Sequence, residues 1–220
     1  METKYKFREL MKERHSTRSF QSKPIPEDIL KEIISIALMS PSWCNSQPWN
    51  IYVASGNTLN EIKKEFSDKI KAKIKGYADM KPGHRTDFSE RSQKNIKTLF
   101  EFAEKSTKTA GAKSFIDAIN DLFGAPTIVY LTLNKGYINY SVLDLGALEM
   151  SILLSAKDHG VNSIVAYETI KYPDVLRKYC KIPDNEDIII GIALGYEDNN
   201  IINSHRAEKM KLEECCHFYN

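Results

Sequence analysis

Hydrophobic residues in the first half of the chain recur mainly at helical spacing. Residues 4–13 carry an apolar stripe typical of a short amphipathic helix, and a second helix is predicted for residues 26–40, where a proline and two acidic residues favour a helix start. The alternation in residues 50–55 predicts a strand. Residues 57–115, rich in Lys and Glu, indicate exposed amphipathic helices with a break around Pro82.

The second half of the chain alternates between strand and helix patterns. Residues 127–133 form a continuous β-branched and aromatic run typical of a buried strand, and residues 161–169 and 187–194 predict two more strands. Residues 141–159 are helical in pattern and apolar on most faces, so they need cover on more than one side, from the sheet or from a second subunit. A short helix is predicted to begin near Pro173. Because these elements do not follow a strict β-α-β repeat, the sequence predicts an α+β fold with a mixed sheet and helices on both faces.

Composition restricts the class of protein without identifying it. The 220 residues, 42% hydrophobic and 27% charged, contain no linker or repeat, so we predict a single folded domain over residues 1–220. The net charge of +2 arises from 31 basic and 29 acidic residues, which gives no reason to expect a nucleic-acid or membrane partner. No apolar segment follows the first basic residues, so no secretory signal is recognised and a cytoplasmic location is expected. The four cysteines lack metal-ligand spacing, and no metal site is predicted.

Two polar blocks near the start of the chain carry the candidate chemistry. Residues 14–20 read RHSTRSF, and their two guanidinium groups and hydroxyls suit a phosphate or an electron-rich carbonyl edge. Residues 41–49 read PSWCNSQPW, a polar turn that leads into a strand. Each block alone has an ordinary explanation, because basic residues stabilise a helix C-terminus and tryptophans are common core anchors.

Together the two blocks resemble the flavin-binding signature of the FMN-dependent nitroreductase family, in particular the branch similar to nitrobenzoate reductases. Further family landmarks follow in order: FGAP at residues 123–126, DLG at 144–146, YPDV at 172–175, GIALGYED at 191–198 and NSHRAEK at 203–209. The resemblance covers nearly the whole chain apart from residues 57–115, which we interpret as a variable helical insertion. It implies a three-layer α/β/α fold around a mixed, mostly antiparallel sheet, and a homodimer with the cofactor at the subunit interface.

The resemblance also implies which residues contact flavin mononucleotide (FMN). One group, Arg14, Ser16 and Arg206 with Lys209, is expected at the phosphate, and Arg18 is expected beside the pyrimidine edge, where a cation eases reduction. Ser42 and Asn45 are expected to approach the flavin of the other subunit, and backbone groups of residues 166–168 to contact N5 and O4. The complete expected set of cofactor-binding residues is Arg14, His15, Ser16, Arg18, Pro41, Ser42, Asn45, Gln47, Ala166, Tyr167, Glu168, Arg206 and Lys209.

The function implied by the resemblance is electron transfer from NADH or NADPH, through FMN, to nitroaromatics, quinones or related electrophiles by a ping-pong mechanism. The nicotinamide cofactor is expected to bind only transiently, because the chain lacks a Gly-x-Gly-x-x-Gly motif. No catalytic side chain is predicted, since the flavin carries the chemistry. Enone reduction or reductive dehalogenation on the same fold, a flavin-binding sensor or storage protein, and an interaction domain without cofactor are the alternatives.

Overall fold

The computed structural model describes residues 6–107 and 114–219, in which helices and strands alternate as an α+β fold. The helices are α1 Phe7–Glu13, α2 Glu27–Ala37, α3 Gly56–Lys71, α4 Glu90–Thr107, α5 Phe115–Asn120, α6 Asn139–Asp158 and α7 Pro173–Cys180. The strands are β1 Trp49–Ser55, β2 Thr127–Asn134, β3 Asn162–Val165 and β4 Glu186–Gly195. Short 3₁₀ turns at Trp43–Asn45, Tyr167–Thr169 and Ile201–Ser204 lie close to the candidate site.

The four strands form one sheet in the order β1-β2-β4-β3, and each neighbouring pair is antiparallel. Outside these strands, Ser16 makes a parallel bridge to Ser163 on β3. The expectation of a mostly antiparallel sheet is therefore confirmed. In the described part of the chain, this bridge is the only parallel pairing, and it attaches residues 14–20 to the sheet.

Strand β2 is buried on both faces and separates two hydrophobic clusters. Val129 and Leu131 belong to a cluster formed with α2 and α6, whereas Ile128 and Tyr130 belong to the cluster formed with α3, α5 and α7. Successive side chains of a strand point to opposite faces, so this alternation places helices on both sides of the sheet. The predicted three-layer α/β/α architecture is confirmed, and the strand predictions for residues 50–55, 127–133 and 187–194 correspond to β1, β2 and β4.

The predicted strand over residues 161–169 is wrong at its C-terminal half. Strand β3 ends at Val165, and the next residues form a 3₁₀ turn in which the hydroxyl of Thr169 donates to the carbonyl of Ala166 at 2.7 Å. Gly191 on β4 lies directly against this turn, since a Cβ added there would be 2.1 Å from Thr169 Oγ1. The turn packs against Gly191 of another strand, and the β-propensity of residues 161–169 contains no information about that contact.

The helix predictions differ from the structure mainly in extent. The first helix begins at Phe7 rather than at residue 4, and residues 4 and 5 lie outside the described part of the chain. Within residues 57–115 the break at Pro82 is confirmed, and α3 is amphipathic as predicted, with its apolar residues, Phe66 among them, buried. Residues 108–113 lie outside the described part, and an insertion at 57–115 stays a prediction. No helix of the described residues has the length and apolar character needed to cross a membrane.

Candidate active site

The N-terminal polar block, residues 14–20, lies along the outer edge of strand β3. Helix α1 ends at Glu13, and the chain then extends so that the backbone N–H of Thr17 donates to the carbonyl of Ser163 at 3.0 Å. Further along, Phe20 bridges to Glu197, just after β4. The block is therefore anchored to the sheet at both ends, with Arg18 between the two anchors.

Arg18 is a buried cation. It exposes 7% of its surface, and its guanidinium donates to the carbonyl of Ser16 at 3.0 Å and lies 5.9 Å from the ring centre of Phe115. No carboxylate of the described residues pairs with it. Burial, and secondly the positive charge of Arg206, lowers the pKa of Arg18. Since both effects disfavour the cation, an anionic ligand placed there gains more than it would at an exposed arginine.

Arg206 and His205 extend this positive region from the other end of the chain. Arg206 donates from Nη1 to the carbonyl of Asn203 at 2.7 Å and to that of His205 at 3.0 Å. Burial, followed by the charges of Arg18 and Arg206, lowers the pKa of His205. The two arginines therefore influence the same imidazole, which places them together in space although they are far apart in sequence.

The buried amide of Asn203 joins the two ends of the chain. Its Oδ1 accepts hydrogen bonds from the backbone nitrogens of Arg18 at 2.7 Å and Ser19 at 3.1 Å, and its Nδ2 donates to the carbonyl of Ser19 at 2.8 Å. Ser19 also donates from its hydroxyl to Asp198 at 2.6 Å. Asn203 was not among the predicted site residues, and its place in the NSHRAEK segment, three residues before Arg206, is the signal that could have indicated it.

His15 contacts the protein itself with both ring nitrogens. Nε2 lies 2.7 Å from Glu197 Oε2, and Nδ1 lies 2.9 Å from the carbonyl of Glu13. Asn162 donates to the same oxygen of Glu197 at 3.1 Å. The structure therefore gives the His15 side chain a role in fastening the block to the sheet, and its contact with FMN stays a prediction.

Arg14 and Lys209 are the other two cations predicted at the phosphate. Arg14 is partly exposed and Lys209 is exposed, and neither side chain makes a hydrogen bond or ion pair with another residue in the described ranges. Arg14 lies four positions before Arg18 at the exit of α1, whereas no described contact brings Lys209 to the block. The structure therefore brings Arg18 and Arg206 together beside Ser16, and the places of Arg14 and Lys209 at the phosphate stay predictions.

The second polar block forms an exposed loop held by one buried carboxylate. Asp144 on α6 accepts the backbone N–H of Trp43 with both oxygens, at 3.0 and 3.1 Å, and also accepts from the hydroxyl of Ser46 at 3.4 Å. Cys44, Asn45 and Gln47 all have positive φ, at 48°, 57° and 44°. Left-handed backbone at three non-glycine residues costs free energy, and such strain is typical of segments shaped for a ligand or an interface.

The predicted flavin residues of this loop lie close to one another. Ser42 accepts the backbone N–H of Gln47 at 2.9 Å, and the side chain of Gln47 donates to Asn45 at 3.1 Å. Pro41 is exposed beside them. This loop leads into β1, whereas residues 14–18 lie along β3 at the opposite edge of the sheet, so the two polar blocks are separated within one chain.

The backbone of residues 166–168 is fixed at the end of β3. The N–H of Ala166 donates to the carbonyl of Gly191 at 3.0 Å, and Tyr167 begins the 3₁₀ turn. The side chain of Glu168 is occupied by an ion pair with Lys171 at 2.8 Å. A contact of these residues with a cofactor would therefore involve their backbone rather than the carboxylate, as the resemblance implies.

Comparison with known proteins gives this arrangement a context. A family model described as the nitroreductase family matches residues 11–196. A 4-nitrobenzoate reductase of Pseudomonas putida is 27% identical over 217 residues, 93% of this chain and 92% of that protein. A chloronitrobenzene nitroreductase of Comamonas testosteroni is 25% identical over 220 residues, 94% of this chain and 93% of that protein.

The solved structures agree with the architecture. The FMN and NADPH-dependent nitroreductase NfnB from Sphigopyxis sp. strain HMH superposes with a TM-score of 0.89, over 98% of this chain and 100% of that one. Its sequence identity is 21%, so this likeness concerns the fold alone. The segment matched by the family model includes both polar blocks and ends just after β4.

Proposed function

The chain belongs to the nitroreductase family, and we propose on this basis that it is an FMN-dependent oxidoreductase that moves electrons from NADH or NADPH to a small electrophile. Nitroaromatics and quinones are the acceptor classes that we assign to it. The observation that carries the proposal is Arg18, a guanidinium that is 7% exposed and has no carboxylate partner among the described residues.

The residues around Arg18 fit the charge of FMN. A phosphate dianion needs several charged or strong hydrogen-bond donors, and we assign this role to Arg14 and Ser16 of the block and to Arg206. Arg18 is deeper and is held by its backbone, which suits a contact with the flavin ring rather than with the phosphate. We therefore assign Arg18 to the pyrimidine edge of the flavin, and Arg14, Ser16 and Arg206 to the phosphate. Lys209 is assigned to the periphery of the phosphate site.

The protein's part in the reaction is positioning and electrostatics. Bound FMN supplies two-electron chemistry, in which NAD(P)H and the acceptor react in alternate half-reactions of a ping-pong cycle. Arg18 places a fixed positive charge where negative charge develops on reduction, and its burial strengthens that interaction. The backbone of residues 166–168, fixed by the bond from Ala166 to Gly191, orients the ring.

A homodimer is part of the proposal because the predicted flavin residues occupy two separate surfaces. The 41–47 loop lies beside exposed apolar side chains, with Met39 83%, Trp43 54% and Leu143 68% exposed. Trp43 and Tyr140 stack with ring centres 5.8 Å apart, which continues this apolar surface onto α6. We assign a second copy of the chain to this surface, which brings the loop of one subunit to the Arg18 region of its partner.

An absorption spectrum of the purified protein tests the proposal. We expect the visible bands of oxidised flavin, and their bleaching when NADH or NADPH is added without oxygen. A nitroaromatic added afterwards should restore the bands. Colourless protein that does not bind added FMN would contradict the proposal, and a bound flavin that neither donor bleaches would favour the sensor or storage alternative.

A further inference from the structure

The contact between His15 and Glu197 lies next to residues that we assign to the phosphate of FMN. His15 stands between Arg14 and Ser16 in the chain, and its side chain is 9% exposed. Its Nε2 lies 2.7 Å from Oε2 of Glu197, and its Nδ1 lies 2.9 Å from the carbonyl of Glu13. Both ring nitrogens of this imidazole are therefore occupied by the protein itself.

Both partners of His15 are hydrogen-bond acceptors. A carboxylate and a main-chain carbonyl accept hydrogen bonds and donate none, whereas a neutral imidazole has one donating and one accepting nitrogen. In the neutral form, one ring nitrogen of His15 therefore turns a lone pair towards an acceptor, either at Glu197 or at Glu13. The imidazolium donates from both nitrogens, so it is the form that satisfies both contacts.

Glu197 is the charged side chain that contacts the imidazole. On the β3 side, the neutral Asn162 donates to the same oxygen of Glu197 at 3.1 Å. At the end of α1 the ring contacts the main-chain carbonyl of Glu13, and no described contact joins the charged side chains of Glu13 and Arg14 to it. The carboxylate of Asp198, which follows Glu197, accepts from a hydroxyl elsewhere in the N-terminal polar block. One carboxylate thus stabilises the charge of the imidazolium.

The extended segment beside β3 places alternate side chains on opposite faces. Thr17 also donates to Oε2 of Glu197, at 3.4 Å, so it lies on the same face as His15, two positions earlier. The alternate positions belong to three residues that we assign to FMN, namely Arg14, Ser16 and Arg18. The contacts of residues 15 and 17 with Glu197 therefore favour one orientation of those three side chains.

We propose that His15 and Glu197 are positioning residues for the FMN site, and that the affinity for FMN depends on the protonation of His15. The doubly protonated ring holds residues 14–18 in the orientation that binds the cofactor. When a proton is lost, one of the two hydrogen bonds is lost with it, the segment gains freedom and FMN binds more weakly. This inference rests on the proposed function, because it concerns the cofactor of that enzyme.

Titration of apo-protein with FMN between about pH 5.5 and 8.5 tests the dependence, because histidine side chains titrate in that range. The phosphate of FMN also gains charge near about pH 6, so each variant is compared with the parent at the same pH. At the acidic end we expect His15→Gln to bind FMN about tenfold more weakly than the parent, and at the alkaline end less than about twofold more weakly. Parallel profiles of the parent and His15→Gln would overturn the proposal.

His159→Gln is the matched control. His159 is also buried, with 4% of its side chain exposed, and its Nδ1 lies 2.7 Å from the carbonyl of Ser155. Its Nε2 lies 3.5 Å from Glu32, so it repeats the pattern of one carbonyl and one carboxylate at the end of α6. We expect His159→Gln to keep the parent's pH profile for FMN. A change equal to that of His15→Gln would assign the effect to general stability and contradict a specific role of His15.

Glu197→Gln separates positioning from direct attraction. If the imidazolium attracted the phosphate directly, removal of the nearby carboxylate would strengthen FMN binding. We expect the opposite, weaker binding by about tenfold at the acidic end, and a variant that lacks both His15 and Glu197 should bind no more weakly than either single variant. Tighter binding by Glu197→Gln would show that Glu197 does not position the site.

Proton uptake gives a readout that a purely structural role does not change. By linkage, a proton that strengthens FMN binding is itself held more tightly once FMN is bound. Calorimetry in two buffers of different ionisation enthalpy should therefore show that the parent takes up more protons on binding FMN than His15→Gln does. Equal uptake contradicts the role of His15 alone, whereas a protein that binds no FMN at any pH contradicts the proposed function and this inference with it.

Discussion

The side-chain oxygen of Asn203 lies 2.7 Å from the backbone nitrogen of Arg18. The backbone nitrogen of Ser19 donates to the same oxygen. The two hydrogen bonds fix the main chain of Arg18, and with it the position of the buried guanidinium. The buried Arg18 is thus supported by an uncharged residue whose amide oxygen and nitrogen both bond to the protein backbone. Asn203 is 2% exposed, so its bonds are shielded from water.

Replacing Asn203 should affect both folding and cofactor binding. Asn203→Ala leaves the amides of Arg18 and Ser19 without their acceptor, and we expect the free energy of unfolding to fall by about 3 kcal/mol. FMN affinity should fall as well, because Arg18 loses its fixed position. Urea unfolding of the apo-protein and FMN titration measure the two effects. Ser204→Ala is the control, since its hydroxyl contacts only the carbonyl of Ile201 in the described structure. Equal stability of the parent and Asn203→Ala would show that the contact is unimportant.

Removing a cation from the predicted phosphate site should weaken FMN binding. We expect Arg14→Ala and Arg206→Ala each to lose roughly 1.5 to 3 kcal/mol of binding free energy, which is about tenfold or more in Kd. Titration of apo-protein with FMN, followed by quenching of flavin fluorescence, gives the values. Arg8→Ala serves as the control because Arg8 is an exposed arginine of α1. The phosphate assignment is wrong if both variants bind as tightly as the parent.

Removing the charge of Arg18 should change electron affinity more than it changes binding. Arg18→Gln keeps approximate length and polarity, so oxidised FMN should stay bound, whereas the reduced anion loses a nearby cation. We expect the flavin reduction potential to fall by tens of millivolts, where about 30 mV corresponds to about 1.4 kcal/mol for a two-electron couple. Redox titration of both proteins measures the shift. An unchanged potential with FMN fully bound would remove Arg18 from the flavin site.

The assigned dimer surface can be tested with one charge. Leu143→Glu introduces a carboxylate into the apolar surface formed by Met39, Trp43 and Tyr140, and we expect monomers at low micromolar concentration, with weaker FMN binding. Sedimentation velocity of holo-protein measures the change. Ile116→Glu is the matched control for Leu143→Glu, since Ile116 on α5 has the same 68% exposure as Leu143. A parent that sediments as a monomer with its flavin would contradict both the interface and the shared site.

A strand can be predicted from sequence where its burial allows only a few residue types. Residues 127–133 are β-branched or apolar at nearly every position, which fits a strand covered on both faces, and β2 is buried on both. Residues 161–169 show an equally favourable pattern, but Thr169 closes a turn against Gly191 from another strand. That contact depends on the sheet already being assembled, and a local pattern carries no information about it.

The site shows the same division between local and distant information. The motifs indicate Arg14, Arg18 and Arg206 as candidates, because charged residues in a recognisable order are visible in the sequence. Asn203 and Asp144 also lie in these motifs, but the sequence assigned them no role, because each acts by accepting hydrogen bonds from backbone amides of a distant segment. A single Asn or Asp has many ordinary uses in loops and helix caps, so its partner becomes known only from the fold.

Arg18 and Asn203 are separated by 185 positions in the chain. A ribosome that adds roughly 5–20 residues per second needs about 10 to 40 s to translate that interval. Throughout this time the RHSTRSF block has been made, but the amide that fixes it has not. All four strands precede Asn203 in the sequence, so the sheet can pair before the block is secured. The hydrogen bonds that fix the backbone of Arg18 can thus form only after the residues of all four strands have been synthesised.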